Sequence, residues 1–138
     1  MSSRLRAFLA AGFLLLAALT VSAQSIKLGT MAPPGSPWEE SLKKLAAEWR
    51  EISRGRVSLR IYSGGIAGDE NDMIRKMRFG QLNAAGISGP GLASIVPGIL
   101  SVQVPKLIET DGELDYVLEQ MQPTFEAELA EKGFQLLI

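Results

Sequence analysis

The only dense acidic cluster in a loop context is Asp69-Glu70-Asn71-Asp72. Its carboxylates could hold a calcium ion or serve as acid and base. However, a calcium loop needs a ligand at every second position, then a glycine and a distant glutamate, and this spacing does not fit. The sequence has neither histidine nor cysteine, which excludes Ser–His and Cys–His nucleophiles and the usual zinc sites. The residue types therefore favour a protein that is not an enzyme and that holds no metal or cofactor.

Two glycine-rich segments could bind a ligand through bare backbone N–H groups. The first, Ser63–Gly68, lacks the Lys-Ser/Thr ending and the G-x-G-x-x-G spacing of phosphate-binding loops, so a tight turn is favoured over a phosphate cradle. The second, Ser88–Gly91, is the better candidate for a site.

Two larger side chains near these segments leave alternatives open. Glu70 either hydrogen-bonds a ligand hydroxyl or is a first-turn glutamate favoured by the helix dipole. Trp38 either packs against the fold or forms a platform for a ligand, because it follows a loop.

Regular elements must position these residues. Strand patterns cover Ser25–Gly29, Arg56–Tyr62 and Ala84–Ser88. Helix signals lie between them. Ser36 is predicted to cap a helix with Pro37 first and Glu39 completing a capping box, and its inward face comprises Leu42, Leu45, Ala46, Trp49 and Ile52. Asp69 is predicted to cap a second helix, with an inner face of Met73, Ile74 and Met77 and with Gly80 at its end.

This alternation predicts an α/β fold, mainly a parallel sheet with helices on both faces. In such sheets ligands bind beyond the carboxyl ends of the strands. The loops predicted at those ends are Thr30–Gly35, Ser63–Gly68 and Ser88–Gly91. The functional face is therefore expected there.

The second half of the chain is more helical. A short helical turn is predicted over Leu92–Val96, followed by a fourth apolar segment, Ile99–Val104. One helix is expected from Thr110, with an inward face of Leu114, Val117, Leu118 and Met121, and another from Pro123, with Phe125, Leu129 and Ala130 inward, ending at Gly133. Phe134–Ile138 is predicted as an apolar strand.

The first 23 residues are typical of an export signal. Arg4 and Arg6 precede the uncharged apolar run Ala7–Val21, and Val21-Ser22-Ala23 fits a signal-peptidase site. A transmembrane anchor is the alternative, but the run is short for a bilayer that needs about 20 residues. We therefore expect a signal peptide at residues 1–23 and a single domain at residues 24–138.

The net charge and the absence of cysteine limit which classes of partner that domain can have. Without Arg4 and Arg6, the domain has 12 of the 14 basic residues and all 15 acidic ones, which gives a net charge of −3. This balance argues against nucleic acid or an anionic membrane as partner. The lack of cysteine leaves neither a disulfide framework nor a lipid-bearing residue. We expect an exported protein that is free in solution.

An ordered series of short motifs covers nearly all of residues 24–138. Its segments are Leu28–Pro33, Gly35–Trp38, Gly55–Val57, Ile61-Tyr62, Gly68–Glu70, Met77, Gly80–Leu82, Val96-Pro97 and Val104-Pro105. This series resembles the DctP-type solute receptors of tripartite ATP-independent periplasmic (TRAP) transporters.

The resemblance implies a two-lobed receptor, located in the periplasm, that closes on a small carboxylate and then docks on an ion-driven membrane permease. It also implies a second lobe after Phe134–Ile138 that carries an arginine for the carboxylate, so this chain would be the N-terminal lobe of an incomplete receptor. By the same resemblance, the ligand contacts of this lobe are Met31, Ala32, Trp38, Glu70, Ser88, Gly89 and Gly91.

Other functions remain open from the sequence. The chain could instead be an extracytoplasmic ligand-sensing module or an ABC-type solute-binding protein. A hydrolase or isomerase using Asp69, Glu70 or Asp72 is the third alternative, and the missing histidine argues against it.

Overall fold

The computed structural model describes residues 23–137. The expected signal peptide therefore lies outside the described residues, apart from Ala23, and so does Ile138. Within residues 23–137, no helix is both long and apolar enough to cross a membrane.

Three parallel strands form the centre of the fold: β1 (Gln24–Thr30), β2 (Val57–Tyr62) and β3 (Ala84–Gly86). Their order is β2-β1-β3. Gly29 lies opposite both Tyr62 and Ala85, so all three strands end at the same edge. The predicted parallel sheet is confirmed.

Two helices connect these strands: α1 (Pro37–Ile52) and α2 (Glu70–Arg78). The chain passes from β1 to its neighbour on one side and then back across β1 to β3. Because parallel crossovers are right-handed, these opposite directions place α1 and α2 on opposite faces of the sheet. This arrangement agrees with the predicted fold class.

The start of α1 differs from prediction in one detail. Ser36 caps it as expected, accepting the Glu39 N–H at 3.3 Å. The Glu39 carboxylate, however, accepts the N–H of Gly35 at 2.7 Å rather than that of Ser36, whose N–H donates to the Pro33 carbonyl. The reciprocal half of the capping box is therefore absent here. The predicted inward position of Ile52 is also wrong, since its side chain is 80% exposed at the last helical residue.

The signals for α2 are all confirmed. Asp69 accepts the Asp72 N–H at 2.7 Å, and Gly80 adopts a positive φ of 68° just beyond the helix. Met73 and Ile74 are buried. Met73 packs with Ala67 and Leu82 under the sheet, while Ile74 belongs to a second core cluster.

That second cluster joins α2 to the later elements: α3 (Gly89–Ala93), a 3₁₀ helix (Pro97–Gln103) and α4 (Asp111–Glu131). Its buried members are Ile74, Ile95, Val96, Ile99, Phe125 and Leu129. The apolar segment Ile99–Val104 thus lies mostly in the 3₁₀ helix, and α3 starts three residues before the predicted helical turn.

The prediction of two separate helices around Pro123 is wrong, because α4 runs through this residue. Proline has a fixed φ close to the helical value, and its missing N–H leaves only the carbonyl of Glu119 without a partner in the helix. Glu119 is exposed, so water can satisfy that carbonyl. A true capping box starts the helix at Thr110 and Glu113.

The end of the chain also differs from prediction. Phe134–Leu137 forms no strand, whereas Phe134 and Leu136 pack against the second core cluster. Of the residues predicted to face inward from α4, Leu118 and Ala130 are exposed. Apolar composition alone did not distinguish a strand from an irregular segment that covers a core.

Candidate solute-binding cleft

A cleft of about 360 Å³ opens at the carboxyl ends of β1 and β3. This is the edge at which a parallel sheet binds ligands. The lining residues come from the end of β1, the following loop, the start of α1, the first residue of α2 and the end of β3: Thr30, Met31, Ala32, Pro33, Ser36, Pro37, Trp38, Glu70, Gly86, Ile87 and Ser88.

The turn after β2 supports the loop after β1. The N–H of Gly64 donates to the Ala32 carbonyl at 2.8 Å, and that of Gly65 donates to the Thr30 carbonyl at 3.3 Å. Gly64, Gly65 and Gly68 all have positive φ angles, a conformation that glycine adopts at no steric cost. Because these N–H groups are used within the chain, the segment is a tight turn and not a phosphate cradle.

A buried carboxylate joins the same two loops from the side of α1. Glu39 is only 6% exposed, and its carboxylate accepts the Gly35 N–H at 2.7 Å and the Ser63 hydroxyl at 2.5 Å. Lys43 adds an ion pair at 3.0 Å. The hydrogen bond from Gly35, followed by those from Ser63 and Lys43, lowers the pKa of Glu39 to about 2. The two glutamates paired with Lys43, Glu40 and Glu39, in turn raise the pKa of that lysine.

A second carboxylate joins α2 to the end of β3. Glu70 accepts the Ser88 N–H at 2.6 Å through Oε1 and the Ser88 hydroxyl at 2.8 Å through Oε2. Ser88 also caps α3, because its Oγ accepts the N–H of Gly91 at 3.4 Å. Glu70 is therefore a residue of the cleft wall with a defined partner, in addition to lying in the first turn of a helix.

Three glycines allow the close approach of these parts. A Cβ added to Gly91, which is buried, would overlap the Glu70 carboxylate and a methyl group of Ile87, and one added to Gly89 would overlap the Gln103 side chain. A Cβ on Gly86 would lie 3.2 Å from the Thr30 hydroxyl. Gly89 and Gly91 thus contact the protein itself and do not line the cleft.

Five of the seven predicted contact residues line the cleft: Met31, Ala32, Trp38, Glu70 and Ser88. Whether they touch a ligand stays a prediction. Six further lining residues were not predicted, although each lies within two positions of a predicted one: Thr30, Pro33, Ser36, Pro37, Gly86 and Ile87. Trp38 is 62% exposed, so it is not a core residue of the described part of the chain.

A larger concavity of about 520 Å³ lies at the opposite end of the sheet. Its lining residues are Ala23, Arg54, Gly55 and Arg56, close to the first residues of β1 and β2. The amino ends of parallel strands are not where such sheets bind ligands. We therefore take the cleft at the carboxyl ends as the candidate site.

The parallel sheet with a cleft at its carboxyl edge defines one lobe of a periplasmic-binding-protein fold. Residues 28–138 match the family model DctP, described as bacterial extracellular solute-binding protein, family 7. The chain belongs to this family.

Three matches illustrate the similarity. A solute-binding protein of Chromohalobacter salexigens is 27% identical over 140 residues, covering 99% of this chain and 42% of the relative. The solved structure of a TRAP periplasmic solute-binding protein from the same organism, with bound D-glucuronate, is 26% identical. The match covers 78% of this chain and 36% of the solved chain, with a TM-score of 0.69.

The third is a TRAP periplasmic solute-binding protein of Roseobacter denitrificans with bound β-D-glucuronate. It is 23% identical, and the match covers 81% of this chain and 37% of the solved chain. The TM-score of 0.73 shows the shared fold. This chain spans less than half the length of each of these relatives.

Proposed function

We propose that this chain is an extracytoplasmic receptor of a TRAP transporter that captures a small organic acid. The observation that carries the proposal is the cleft at the carboxyl edge of β1 and β3, in a chain whose residues 28–138 match the DctP family. The D-glucuronate bound to the Chromohalobacter salexigens relative supports a carboxylate as ligand.

In this proposal residues 24–138 act as the N-terminal lobe of a two-lobed receptor, and residues 1–23 act as its signal peptide. The periplasmic location of the two solved relatives supports export. The partner would be a membrane permease driven by an ion gradient, which receives the ligand from the closed receptor.

We also propose that the chain is not an enzyme. Each acidic side chain of the Asp69–Asp72 segment has a structural partner. Asp69 caps α2, Glu70 binds Ser88, and Asp72 forms an ion pair with Arg75 at 2.5 Å. A carboxylate held in this way is a poor candidate for a general base, since it is already an acceptor for neighbouring groups.

A titration followed by NMR tests the receptor function. The full chain, labelled with ¹⁵N, is titrated with keto acids, dicarboxylates and sugar acids, each compared with its uncharged amide. We expect the acids to shift backbone signals at the cleft, such as those of Thr30, Gly86 and Ser88, and the amides to shift the same signals where the uncharged part of the ligand makes the contact. Shifts confined to Arg54 and Arg56 would contradict the proposal.

The expected affinity in this experiment is low. If the cation for the ligand carboxylate comes from an opposing lobe, its loss costs about 2–5 kcal/mol, or roughly 30-fold to several-thousand-fold in affinity. Micromolar or tighter binding by this chain would show that no second lobe is needed. Genes for a small and a large permease subunit beside this one would separate a transport receptor from a sensing module.

A further inference from the structure

We infer that the ligand of this cleft is a monocarboxylate with an apolar body, and not a sugar acid or a dicarboxylate. This inference rests on the proposed function and names the substrate class of the same site. Its first support is the composition of the wall. Six side chains with no charge and no hydroxyl form most of the lining: Met31, Ala32, Pro33, Pro37, Trp38 and Ile87.

Each hydroxyl group of the wall makes at least one hydrogen bond within the protein. The Thr30 Oγ1 accepts the N–H of Ala32 at 3.2 Å, and the Ser36 Oγ accepts that of Glu39 at 3.3 Å. The Ser88 hydroxyl donates to Glu70 at 2.8 Å. A sugar acid brings several hydroxyl groups, and each that enters the cleft loses water and needs a new partner. This wall offers few such partners, because only three of its described residues have hydroxyl side chains and each already makes a bond within the chain.

The charge of the wall also disfavours a ligand that carries two carboxylate groups. Among the described residues that line the cleft, Glu70 is the only charged one. A ligand carboxylate beside Glu70 would be repelled, so it must point out of this wall toward a cation elsewhere. A dicarboxylate that fills the cleft would have to place one of its two charges against the wall. A monocarboxylate can turn its uncharged end inward.

The exposed apolar surfaces indicate what that uncharged end is like. Trp38 is 62% exposed and Met31 is 47% exposed, and both border the cleft. Covering such surfaces with an apolar group removes them from water, which is favourable. An indole face and a flexible thioether both make good contacts with an aromatic ring. An aromatic or similarly apolar body therefore complements this wall.

The test uses the full chain and NMR signals from the indole N–H of Trp38 and the methyl group of Met31. The probes are 3-phenylpropanoate, its amide, D-glucuronate and succinate. We expect 3-phenylpropanoate to shift both signals and to bind at least about tenfold more tightly than glucuronate or succinate. Trp38→Ala should weaken its binding about tenfold, as expected from the loss of an aromatic contact. Trp49→Phe, in the same helix but away from the cleft lining, serves as the matched control and identifies the second indole signal.

The outcomes separate this inference from the proposed function. If glucuronate or succinate binds the cleft as tightly as 3-phenylpropanoate, or if Trp38→Ala leaves the affinity unchanged, the inference is overturned and the receptor function stands. The amide should bind this wall at least as well as the acid, because the wall contacts the uncharged end and Glu70 repels the carboxylate. If no acid binds the cleft, the proposed function fails and the inference fails with it.

Discussion

Glu70 and Ser88 are joined by two hydrogen bonds, from the Ser88 N–H at 2.6 Å and from its hydroxyl at 2.8 Å, although they lie 18 residues apart. Glu70 is the first residue of α2 and Ser88 follows β3. The pair therefore connects a helix start to a strand end at the edge of the cleft. It fixes the position of the only charged side chain among the described residues of the cleft wall.

The first prediction concerns the hydroxyl of this pair. Ser88→Ala removes the hydrogen bond to Glu70 and the cap of α3, so we expect the free energy of unfolding to fall by about 1–2 kcal/mol. Urea denaturation followed by circular dichroism measures the change. Ser41→Ala is the control, because the Ser41 hydroxyl is exposed and bonds only within α1. That control should change stability by less than about 0.5 kcal/mol, and an equal loss in both variants would contradict the assignment.

The second prediction concerns the space behind Glu70. Gly91→Ala places a methyl group against the Glu70 carboxylate and Ile87, so we expect a loss of about 1–3 kcal/mol in stability from overpacking. Gly112→Ala is the matched control. Gly112 lies in α4 with nothing within 4 Å of an added Cβ, and alanine should there stabilise the helix by up to about 1 kcal/mol.

Thermal or urea denaturation of these two glycine variants gives opposite signs if the contact is real. A Gly91→Ala protein as stable as the wild type would mean that the carboxylate and Ile87 move aside freely. The cleft wall would then be less rigid than the Glu70–Ser88 pair indicates.

The third prediction is a pH dependence due to Glu39. Its pKa is lowered from 4.5 to about 2 by the Gly35, Ser63 and Lys43 contacts. The folded state therefore holds this group ionised where the unfolded state takes up a proton. The resulting stabilisation is fully present above about pH 4.5 and is lost as the pH falls from there to about 2.

Urea midpoints measured from pH 2 to pH 6 test this. Glu39→Gln should reduce the slope of stability against pH in that window. Glu40→Gln serves as the control, because this neighbour also pairs with Lys43 but is exposed. The assignment is wrong if Glu39→Gln and Glu40→Gln give the same pH profile.

The sequence by itself determined the features that depend on residues close together in the chain. The caps at Ser36 and Asp69 and the stop at Gly80 follow from hydrogen bonds or backbone angles within three or four residues. The alternation of strands and helices indicated a parallel sheet, and that in turn indicated the edge where the cleft lies. Five of the seven contact residues that the family resemblance implied line this cleft.

Only the tertiary structure decided which distant groups become partners. Glu39 bonds Ser63 across 24 residues instead of completing its local capping box, because the ends of β1 and β2 meet at one edge of the sheet. The glycines at 89 and 91 lie against other side chains and outside the cleft lining, a distinction that depends on where Gln103 and Glu70 lie in space. Local propensity cannot specify such contacts, since it says nothing about which surfaces come together when the core is buried.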